Sequence, residues 1–333
     1  MRRWRFAPLA IVLLHGAAIS GQDGPRSPAD WLDAMNHAFV ERNYDGVFSY
    51  FDGDDLSALR VIHAVVDGVQ RERLIHLNGT LREIVRTGNE VVCVVRPDDA
   101  ILKLEESIPS GPFFQAFTRT FDDVSDNYRM TLEGEGRVAD RDAVIMSVTP
   151  KDDDRYGYRL WLDRDKSLLL RSELIDGKGT RLEIFQFASV AIDQPIDPSL
   201  LAARAQSGVG MSRVALQVAR RDDPSPPTAW RVAWLPDGFA VAARDVYRTP
   251  ASDNSVNTLM YSDGLAAFSV FVEEMPKNGA ARMVSRQGAT VAVTRVAHGP
   301  AGSTPYLITV VGEVPVATAQ KVAESVRYNA SGQ

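Results

Sequence analysis

The stretch that decides the fold is LRVIHAVVDGVQRERLIHLNG, residues 59–79, in which two β-rich runs each end in a two-residue turn signal. The first run leads into Asp67-Gly68 and the second into Asn78-Gly79. Asp-Gly and Asn-Gly between β-rich runs are strong short-range signals for β-hairpins. Parallel strands would need long crossover connections, which short turns of this kind do not supply. The sequence therefore predicts an antiparallel meander.

Similar β-rich runs continue on both sides of this stretch and form two groups. The first group lies at 47–51, 84–86, 137–149, 156–163, 167–175 and 180–192. The second lies at 239–247, 257–261, 267–273, 290–296 and 306–311. A helix opened by Pro315 follows the second group, since proline suits the first turn of a helix. Both groups are predicted to form antiparallel sheets.

Residues between the two groups are rich in Gly, Ser, Asp and Pro, a composition typical of linkers. Residues 211–221 within them are also compatible with an ordered crossing segment. We predict a signal peptide over 1–20, a first domain over 24–206, a linker over 207–229 and a smaller C-terminal α+β domain over 230–330. The first domain is predicted to be a strongly curved antiparallel sheet, a half-barrel, with helices on its concave face.

One of these helices is predicted near residue 28. Ser27 is a good N-cap, Pro28 suits the first helical position and Asp30 completes a capping-box spacing. The apolar residues that follow recur at helical spacing, at Trp31, Ala34, Met35, Ala38 and Phe39. They predict one apolar helix face that packs on the sheet.

The N-terminus predicts export. Residues 1–5 are basic, residues 6–19 are mostly apolar, and small residues follow, which is the order of a secretory signal. A membrane anchor is the alternative, although the run is short for a membrane span. We expect a soluble periplasmic protein. Cys93 is the only cysteine, so no intramolecular disulfide can form.

The charge balance argues against nucleic acid as a partner. The chain has a net charge of −6, and removal of residues 1–20, which contain three arginines and no acid, makes it more acidic. A net negative protein is a poor non-specific binder of nucleic acid or of anionic membranes.

Three partial matches to chemical motifs fail for structural reasons. Gly134–Ala139 fits a loose dinucleotide fingerprint but precedes a predicted strand where a helix is needed, so we predict a hairpin turn. Asp152–Gly157 resembles the start of a calcium loop but lies between strands, and is predicted to be a solvated turn. The histidines His63 and His76 lack further zinc ligands near them in the sequence. We predict no catalytic residue, no metal and no cofactor, and hence no enzyme.

An aromatic stripe gives the sequence a candidate ligand site. Phe113, Phe114, Phe117 and Phe121 recur at helical spacing. Such a stripe either packs into a core or lines an apolar cavity that holds a lipid. Together with Trp161, these residues form the predicted lipid-binding set.

Several strings of the sequence resemble the MucB/RseB family, from the first helix to the last. In the first domain they are Asn43-Tyr44-Asp45-Gly46, Gly79–Arg86, Gly136–Arg141 and Tyr158–Asp163. In the second domain they are Trp234–Phe239, Tyr261–Leu265 and Thr309–Pro315.

The resemblance implies a fold and a function. The first domain would resemble the LolA/LolB lipoprotein carriers, and the second would be the family's own α+β domain. The function would be negative regulation of an extracytoplasmic sigma factor in the envelope stress response. Such a protein binds the periplasmic domain of an RseA/MucA-like anti-sigma factor and shields it from proteolysis, until lipid or lipopolysaccharide releases it. A periplasmic lipid or lipoprotein carrier is the alternative, and a homodimer is one open arrangement.

Residues that suit a protein interface mark the predicted partner site. The set comprises Trp234, Leu235, Asp237, Phe239, Tyr261, Asp263, Arg82 and Arg86. Aromatic residues and arginines dominate interface energies, and arginine forks also suit acidic or phosphate groups. The aromatic residues fit a core equally well, the Asp-Gly pairs fit turns, and the arginines fit a solvated sheet face.

Overall fold

The structure is a computed structural model that describes residues 26–79, 82–88, 90–95, 124–203, 212–217, 229–248, 255–275, 282–298 and 305–328. Two large antiparallel sheets are present in this part of the chain, one in each domain. The fold class predicted from the sequence, α+β with an open antiparallel sheet and a smaller second domain, is confirmed. The predicted signal peptide and the four phenylalanines of the aromatic stripe lie outside the described residues.

Within the described residues, the larger domain has one α-helix and an eleven-stranded antiparallel sheet. Its elements are α1 (Pro28–Glu41), β1 (Tyr44–Phe51), β2 (Leu56–Val66), β3 (Val69–His76), β4 (Glu83–Thr87), β5 (Glu90–Val95), β6 (Tyr128–Val138), β7 (Arg141–Pro150), β8 (Gly157–Asp163), β9 (Leu169–Ile175), β10 (Arg181–Ile192) and β11 (Ser212–Gln217). The strand order is β11-β5-β4-β3-β2-β1-β10-β9-β8-β7-β6. The two turns of the opening stretch join β2 to β3 and β3 to β4, as predicted.

Helix α1 forms for the reasons that the sequence gives. Ser27 accepts a hydrogen bond from the Asp30 amide and Asp30 accepts one from the Ser27 amide, which completes the capping box. Trp31, Leu32 and Met35 are buried among side chains from both halves of the sheet. Strands β6 and β10 come within 8 Å of each other although three strands lie between them in the sheet. The sheet is therefore strongly curved around this core.

The glycine-rich segment at 134–139 corrects one prediction. Residues 134–138 belong to strand β6, and the turn lies later, at Ala139 and Asp140, which both have positive φ. The prediction of a turn over the glycines is wrong because glycine here serves side-chain packing. A Cβ at Gly136 would press on Ile145 and Trp161 of the neighbouring strands.

The opposite face of the sheet is covered by a short 3₁₀ helix, Pro198–Leu201, which Asp197 caps. Leu201 packs on Ile62 and Ala64 of β2. Beneath this segment, Arg73 and Glu83 form a buried ion pair with a 2.7 Å Nε–Oε1 distance. Arg73 also donates to the carbonyl of Leu200, which ties the 3₁₀ helix to the sheet.

In its described ranges, the smaller domain has a six-stranded antiparallel sheet, a two-stranded sheet and one α-helix. Its elements are β12 (Trp230–Val232), β13 (Ala240–Arg248), β14 (Ser255–Ser262), β15 (Ala267–Glu274), β16 (Arg282–Gln287), β17 (Thr290–Ala297), β18 (Tyr306–Gly312), α2 (Val316–Ser325) and β19 (Val326–Tyr328). The large sheet has the order β13-β14-β15-β18-β17-β16, and β12 pairs with β19. Val322 and Ala319 of α2 are buried on this sheet in a second core.

The segment between the domains contains an ordered strand. Strand β11 pairs with β5 and forms one edge of the larger sheet. It lies inside the range predicted as a linker, within residues 211–221, for which the sequence also allows an ordered segment. The predicted domain boundaries themselves stay a prediction. No helix in the described part of the chain is long and apolar enough to cross a membrane.

Candidate functional site: the joint between the domains

In the part of the chain that the structure describes, the two domains meet at a joint whose polar contacts centre on two side chains of the larger domain. In the first contact, Arg155 of the larger domain meets the turns at 237–239 and 263–266 of the smaller domain. In the second, Glu183 of the larger domain meets the turn at 288–289 of the smaller domain. We call these the Arg155 contact and the Glu183 contact. Leu265 and Ala289 from the same turns are buried in the core of the larger domain, so apolar packing accompanies both contacts.

Arg155 is almost completely buried, with 2% of its surface exposed. Its Nη1 atom donates to Asp263 Oδ2 at 2.6 Å and its Nη2 atom to the carbonyl oxygen of Asp237 at 2.6 Å. Its Nε atom donates to Asp152 Oδ1 within its own turn. The guanidinium carbon lies 5.4 Å from the ring centre of Tyr128 and 5.3 Å from that of Phe239. Cation and aromatic faces attract at such distances.

Electrostatics keep Arg155 charged in this buried position. Burial opposes the charge, but the hydrogen bond with Asp152 and the negative charges around the guanidinium outweigh it and raise the pKa of Arg155 further. A buried charge without partners would cost several kcal/mol, on the order of the desolvation penalty per ion. The guanidinium of Arg155 instead donates to the carboxylates of Asp152 and Asp263 and to the carbonyl of Asp237.

Asp263 completes the Arg155 contact from the side of the smaller domain. Its Oδ1 atom accepts the amides of Leu265 and Ala266, which fixes the turn between β14 and β15. Its Oδ2 atom accepts the hydroxyl of Tyr128 at 2.8 Å in addition to Arg155. The pKa of Tyr128 is raised well above 10 by burial and by the charge of Asp263, so this hydroxyl remains a donor.

Two further contacts surround Arg155. The hydroxyl of Thr318, in the first turn of α2, donates to Asp154 Oδ1 at 3.0 Å. Gly238 has a φ of +81° and lies so close to Asn127 that a Cβ there would overlap the amide of that side chain. A glycine is needed here both for the left-handed backbone and for the close approach of the domains. Gly238, which lies in the Trp234–Phe239 string, thus allows the close approach of the two domains.

The Glu183 contact is built on one buried carboxylate. Glu183 Oε1 accepts the amide of Ala289 at 2.9 Å, and its Oε2 accepts the hydroxyl of Tyr50 at 2.7 Å. Beside it, Gln287 Nε2 donates to Asp52 Oδ2 at 2.9 Å. Gly288, with a φ of +56°, lies against the backbone carbonyl of Asp52. The tip of the β16–β17 hairpin is therefore held by the larger domain.

A second carboxyl group faces this contact. Glu313 follows β18 and interacts electrostatically with Glu183, and burial and the charge of Glu183 raise the pKa of Glu313 to about 8. Burial also raises the pKa of Glu183, although its hydrogen bonds with Tyr50 and Ala289 oppose the shift. The two groups interact across the joint, so they share their protons as a pair.

The predicted partner residues of the smaller domain divide between its core and the joint. Phe239 and Tyr261 are buried and pack on Phe268. Asp263 is fully buried in the Arg155 contact, whereas Asp237 is exposed and contributes its carbonyl oxygen. The structure thus brings these residues together at the joint, and their contact with a partner stays a prediction.

The other predicted partner residues lie at separate places. Trp234 and Leu235 are half-buried, and the Lys321 ammonium lies 3.6 Å from the ring centre of Trp234. Arg82 and Arg86 are half-buried on the larger domain. Arg86 lies opposite Glu72 in the β3–β4 register; burial raises the pKa of Glu72 to about 7, and the charge of Arg86 opposes the shift.

Of the predicted lipid-binding residues, Trp161 alone lies in the described part of the chain. Its side chain is 9% exposed and lies on the face of β8 opposite that of Leu160 and Leu162, because strand side chains alternate. The guanidinium carbons of Arg159 and Arg171 lie 5.0 and 4.7 Å from its ring centre. The lipid-binding function of the set stays a prediction.

Sequence reasoning missed the residues that make the joint. The sequence predicts a solvated turn at Asp152–Gly157, but Arg155 within it is buried and Asp154 accepts a hydrogen bond from Thr318. The sequence offers one signal, an arginine directly after three aspartates, but it gives no sign of burial. Within the described residues, no group of three or more His, Cys, Asp or Glu side chains is arranged to hold a metal ion.

These features define the class of the protein: two antiparallel sheet domains held together by a closed polar joint. Comparison with known proteins names the family. The model of the MucB/RseB N-terminal domain matches residues 27–205, and that of the MucB/RseB C-terminal domain matches residues 224–327. The chain belongs to the MucB/RseB family.

Individual relatives are similar in sequence to this chain over almost its whole length. The chain is 35% identical over 309 residues to the sigma factor AlgU regulatory protein MucB of Pseudomonas aeruginosa, covering 92% of each protein. It is 29% identical to the sigma-E factor regulatory protein RseB of Escherichia coli, covering 97% of this chain and 98% of RseB. A crystal structure of MucB in complex with MucA(peri) superposes with a TM-score of 0.71 at 34% identity, covering 92% of this chain and all of that one. These relatives are regulatory proteins.

Proposed function

We propose that this protein is a negative regulator of the envelope stress response that binds the periplasmic part of a membrane-anchored anti-sigma factor. The observation that carries the proposal is the match to MucB over both domains, including a MucB structure solved as a complex with MucA(peri). The basic and then apolar N-terminus supports a periplasmic location, in which such a partner segment would be accessible.

Regulation in this proposal works by protection. Binding covers the periplasmic segment of the anti-sigma factor and shields it from the protease that would start its degradation. Lipid or lipopolysaccharide then releases the complex and permits proteolysis. The proposed lipid-contact residues are Phe113, Phe114, Phe117, Phe121 and Trp161.

The proposed partner contacts form two groups. Trp234, Leu235, Arg82 and Arg86 are partly exposed and can meet a partner with the joint closed. Phe239, Tyr261 and Asp263 are buried, so they can meet a partner only after the joint has opened. Aromatic side chains that fill pockets at an interface often cost 2 kcal/mol or more on removal.

Titration calorimetry of the full mature chain with the periplasmic segment of the cognate anti-sigma factor tests the binding step. We expect a dissociation constant of about 1 μM or lower. Trp234→Ala is expected to weaken binding about 30-fold, equivalent to roughly 2 kcal/mol. Val40→Ala, at an exposed position on α1, is the matched control and is expected to leave the affinity unchanged. Absence of binding at this concentration would contradict the proposal.

Limited proteolysis tests protection and release. The bound anti-sigma segment is expected to be cleaved more slowly than the free segment, and added lipopolysaccharide is expected to restore cleavage. Mass spectrometry of ligands extracted from the purified protein separates this proposal from a lipid carrier. A stoichiometric lipid together with no affinity for the anti-sigma segment would favour the carrier.

A further inference from the structure

A pocket opens on the face of the larger sheet that the 3₁₀ helix covers. It has a volume of about 350 Å³ and lies between strands β3, β4 and β5 on one side and the segment 198–203 on the other. Val85, Val92 and Leu201 are buried and line it with apolar surface. An apolar interior with a few polar groups is typical of sites that bind small molecules.

Three polar side chains of the pocket form one row across neighbouring strands. Arg71 of β3 lies opposite Thr87 of β4, and Thr87 lies opposite Glu90 of β5. Adjacent strands are about 4.8 Å apart, so the Cα atoms of Arg71 and Glu90 are roughly 10 Å apart. Neither charge forms an ion pair with the other or with another described residue. A cation and an anion therefore flank the pocket, with a hydroxyl group between them.

Arg71 differs from Arg73, which lies on the same face of β3. Arg73 pairs with Glu83 and donates to the carbonyl of Leu200, so the protein itself supplies its partners. The Nε atom of Arg71 is also buried, but it has no hydrogen-bond partner in the described part of the chain. A buried donor on a charged group costs free energy when it has no partner. A ligand that accepts from Arg71 would remove this cost.

We propose that this pocket binds a free apolar α-amino acid. The carboxylate of the ligand meets Arg71, its ammonium group meets Glu90, and its side chain enters the apolar interior. A guanidinium fork suits a carboxylate, and the carboxylate of Glu90 suits an ammonium group. Both charges of an α-amino acid are attached to one carbon atom, so the ligand can lie over Thr87 and meet the cation and the anion at once.

Glu90 decides between this ligand and a simple anion. A carboxylate or phosphate without an ammonium group would pair with Arg71 but would be repelled by Glu90. A residue inside a peptide chain carries neither backbone charge and satisfies neither side chain. The site is separate from the proposed partner and lipid contacts, because none of those residues lines the pocket. Arg86, next to Thr87, lies on the other face of the sheet, since strand side chains alternate.

Titration calorimetry of the full mature chain with four matched probes tests the site. L-Leucine carries all three groups, 4-methylpentanoate lacks the ammonium group, 3-methylbutylamine lacks the carboxylate, and glycine lacks the apolar side chain. We expect a dissociation constant of about 1 mM or lower for leucine, and binding about tenfold weaker or more for each other probe. No saturation by leucine up to about 10 mM would overturn the proposal. Equally tight binding of 4-methylpentanoate would also overturn it, because Glu90 would then contribute nothing.

Two variants assign the charges of the ligand to their partners. Arg71→Gln is expected to weaken leucine and 4-methylpentanoate about tenfold and to leave 3-methylbutylamine unchanged. Glu90→Gln is expected to weaken leucine and 3-methylbutylamine but not 4-methylpentanoate. Arg129→Gln, at an exposed position on β6, is the matched control and should bind all probes like the original protein.

The test does not depend on one variant. Should Arg71→Gln fail to fold, Glu90→Gln takes its place, because Glu90 is exposed at the edge of the pocket and its loss disturbs no buried contact. Unchanged affinity for leucine in a folded variant would contradict the proposed site. An equal loss for leucine and for both single-charge probes would contradict the assignment of the two charges.

Discussion

The Arg155 contact joins the domains through opposite charges, whereas the Glu183 contact brings two carboxyl groups of the same sign together. Arg155 meets Asp263 at 2.6 Å, and both side chains are fully buried. Glu183 meets backbone and hydroxyl donors at 2.7 to 2.9 Å and is opposed by Glu313. The Arg155 contact sets a cation against an anion, whereas at the Glu183 contact burial and the charge of Glu183 raise the pKa of Glu313 to about 8.

The comparison shows that one interface can combine an ion pair that fixes one arrangement with an acid pair whose protonation can change. A buried ion pair contributes little net free energy compared with apolar packing, but its loss leaves an uncompensated charge and is therefore very costly. Such a pair fixes one arrangement. A buried acid pair shifts its protonation when its surroundings change.

The largest effect is expected from Arg155→Met. The substitution keeps much of the side-chain volume but leaves Asp263 buried without its cation, at a cost of about 3 to 5 kcal/mol. This cost is measured as the decrease in the free energy of unfolding in urea. Arg164→Met is the control, because Arg164 pairs with Glu135 at the surface, and surface ion pairs contribute about 0 to 1 kcal/mol. Similar losses in both variants would remove the distinction between the Arg155 contact and an ordinary surface pair.

A smaller effect is expected from Gly288→Ala in the Glu183 contact. A Cβ at Gly288 would overlap the carbonyl oxygen of Asp52, and the φ of +56° is itself unfavourable for alanine. We expect a loss of about 2 to 3 kcal/mol in the free energy of unfolding, of which about 1 kcal/mol comes from the backbone. Gly68→Ala separates the two causes, because Gly68 also has a positive φ but has open space around it. Equal losses at both positions would mean that the approach of Asp52 is unimportant.

The smallest effect is expected from Tyr50→Phe, which removes one donor from Glu183. Hydrogen bonds to charged acceptors contribute about 1.5 to 3 kcal/mol, and the lower end applies because Ala289 remains as a donor. Tyr158→Phe removes a bond to the carbonyl of Leu265, a neutral acceptor, and should cost about 1 kcal/mol or less. Urea unfolding of the two variants compares them. A larger loss in Tyr158→Phe would contradict an ionised Glu183.

Local features of the fold could be predicted from the sequence because their causes are local. The Asp67-Gly68 turn requires positive φ at both residues, and both have it. The Ser27–Asp30 capping box depends on residues three apart, and it forms. The turn at Ala139-Asp140 has no glycine, so the strand before it was missed. Strand β16, with exposed Met283 and Val284, was missed as well, because it has no alternation of buried and exposed side chains.

The joint could not be predicted because its causes are not local. Arg155 and Asp263 lie 108 positions apart, and Glu183 and Ala289 lie 106 apart. In the sequence, Asp263-Gly264 is only a turn signal, and nothing distinguishes Arg155 from a solvated arginine. The charge of each residue is known from the sequence, but its partner and its burial depend on how two separate domains meet.

A double-mutant cycle between Arg155 and Asp263 tests most directly whether this ion pair fixes the arrangement of the domains. The free energy of unfolding in urea would be measured for the original chain, for Arg155→Met, for Asp263→Asn and for the double variant. The account predicts that the double variant is more stable than the sum of the two single losses implies, by about 2 to 3 kcal/mol, as for directly coupled residues. A coupling energy below about 0.5 kcal/mol, typical of independent sites, would contradict it.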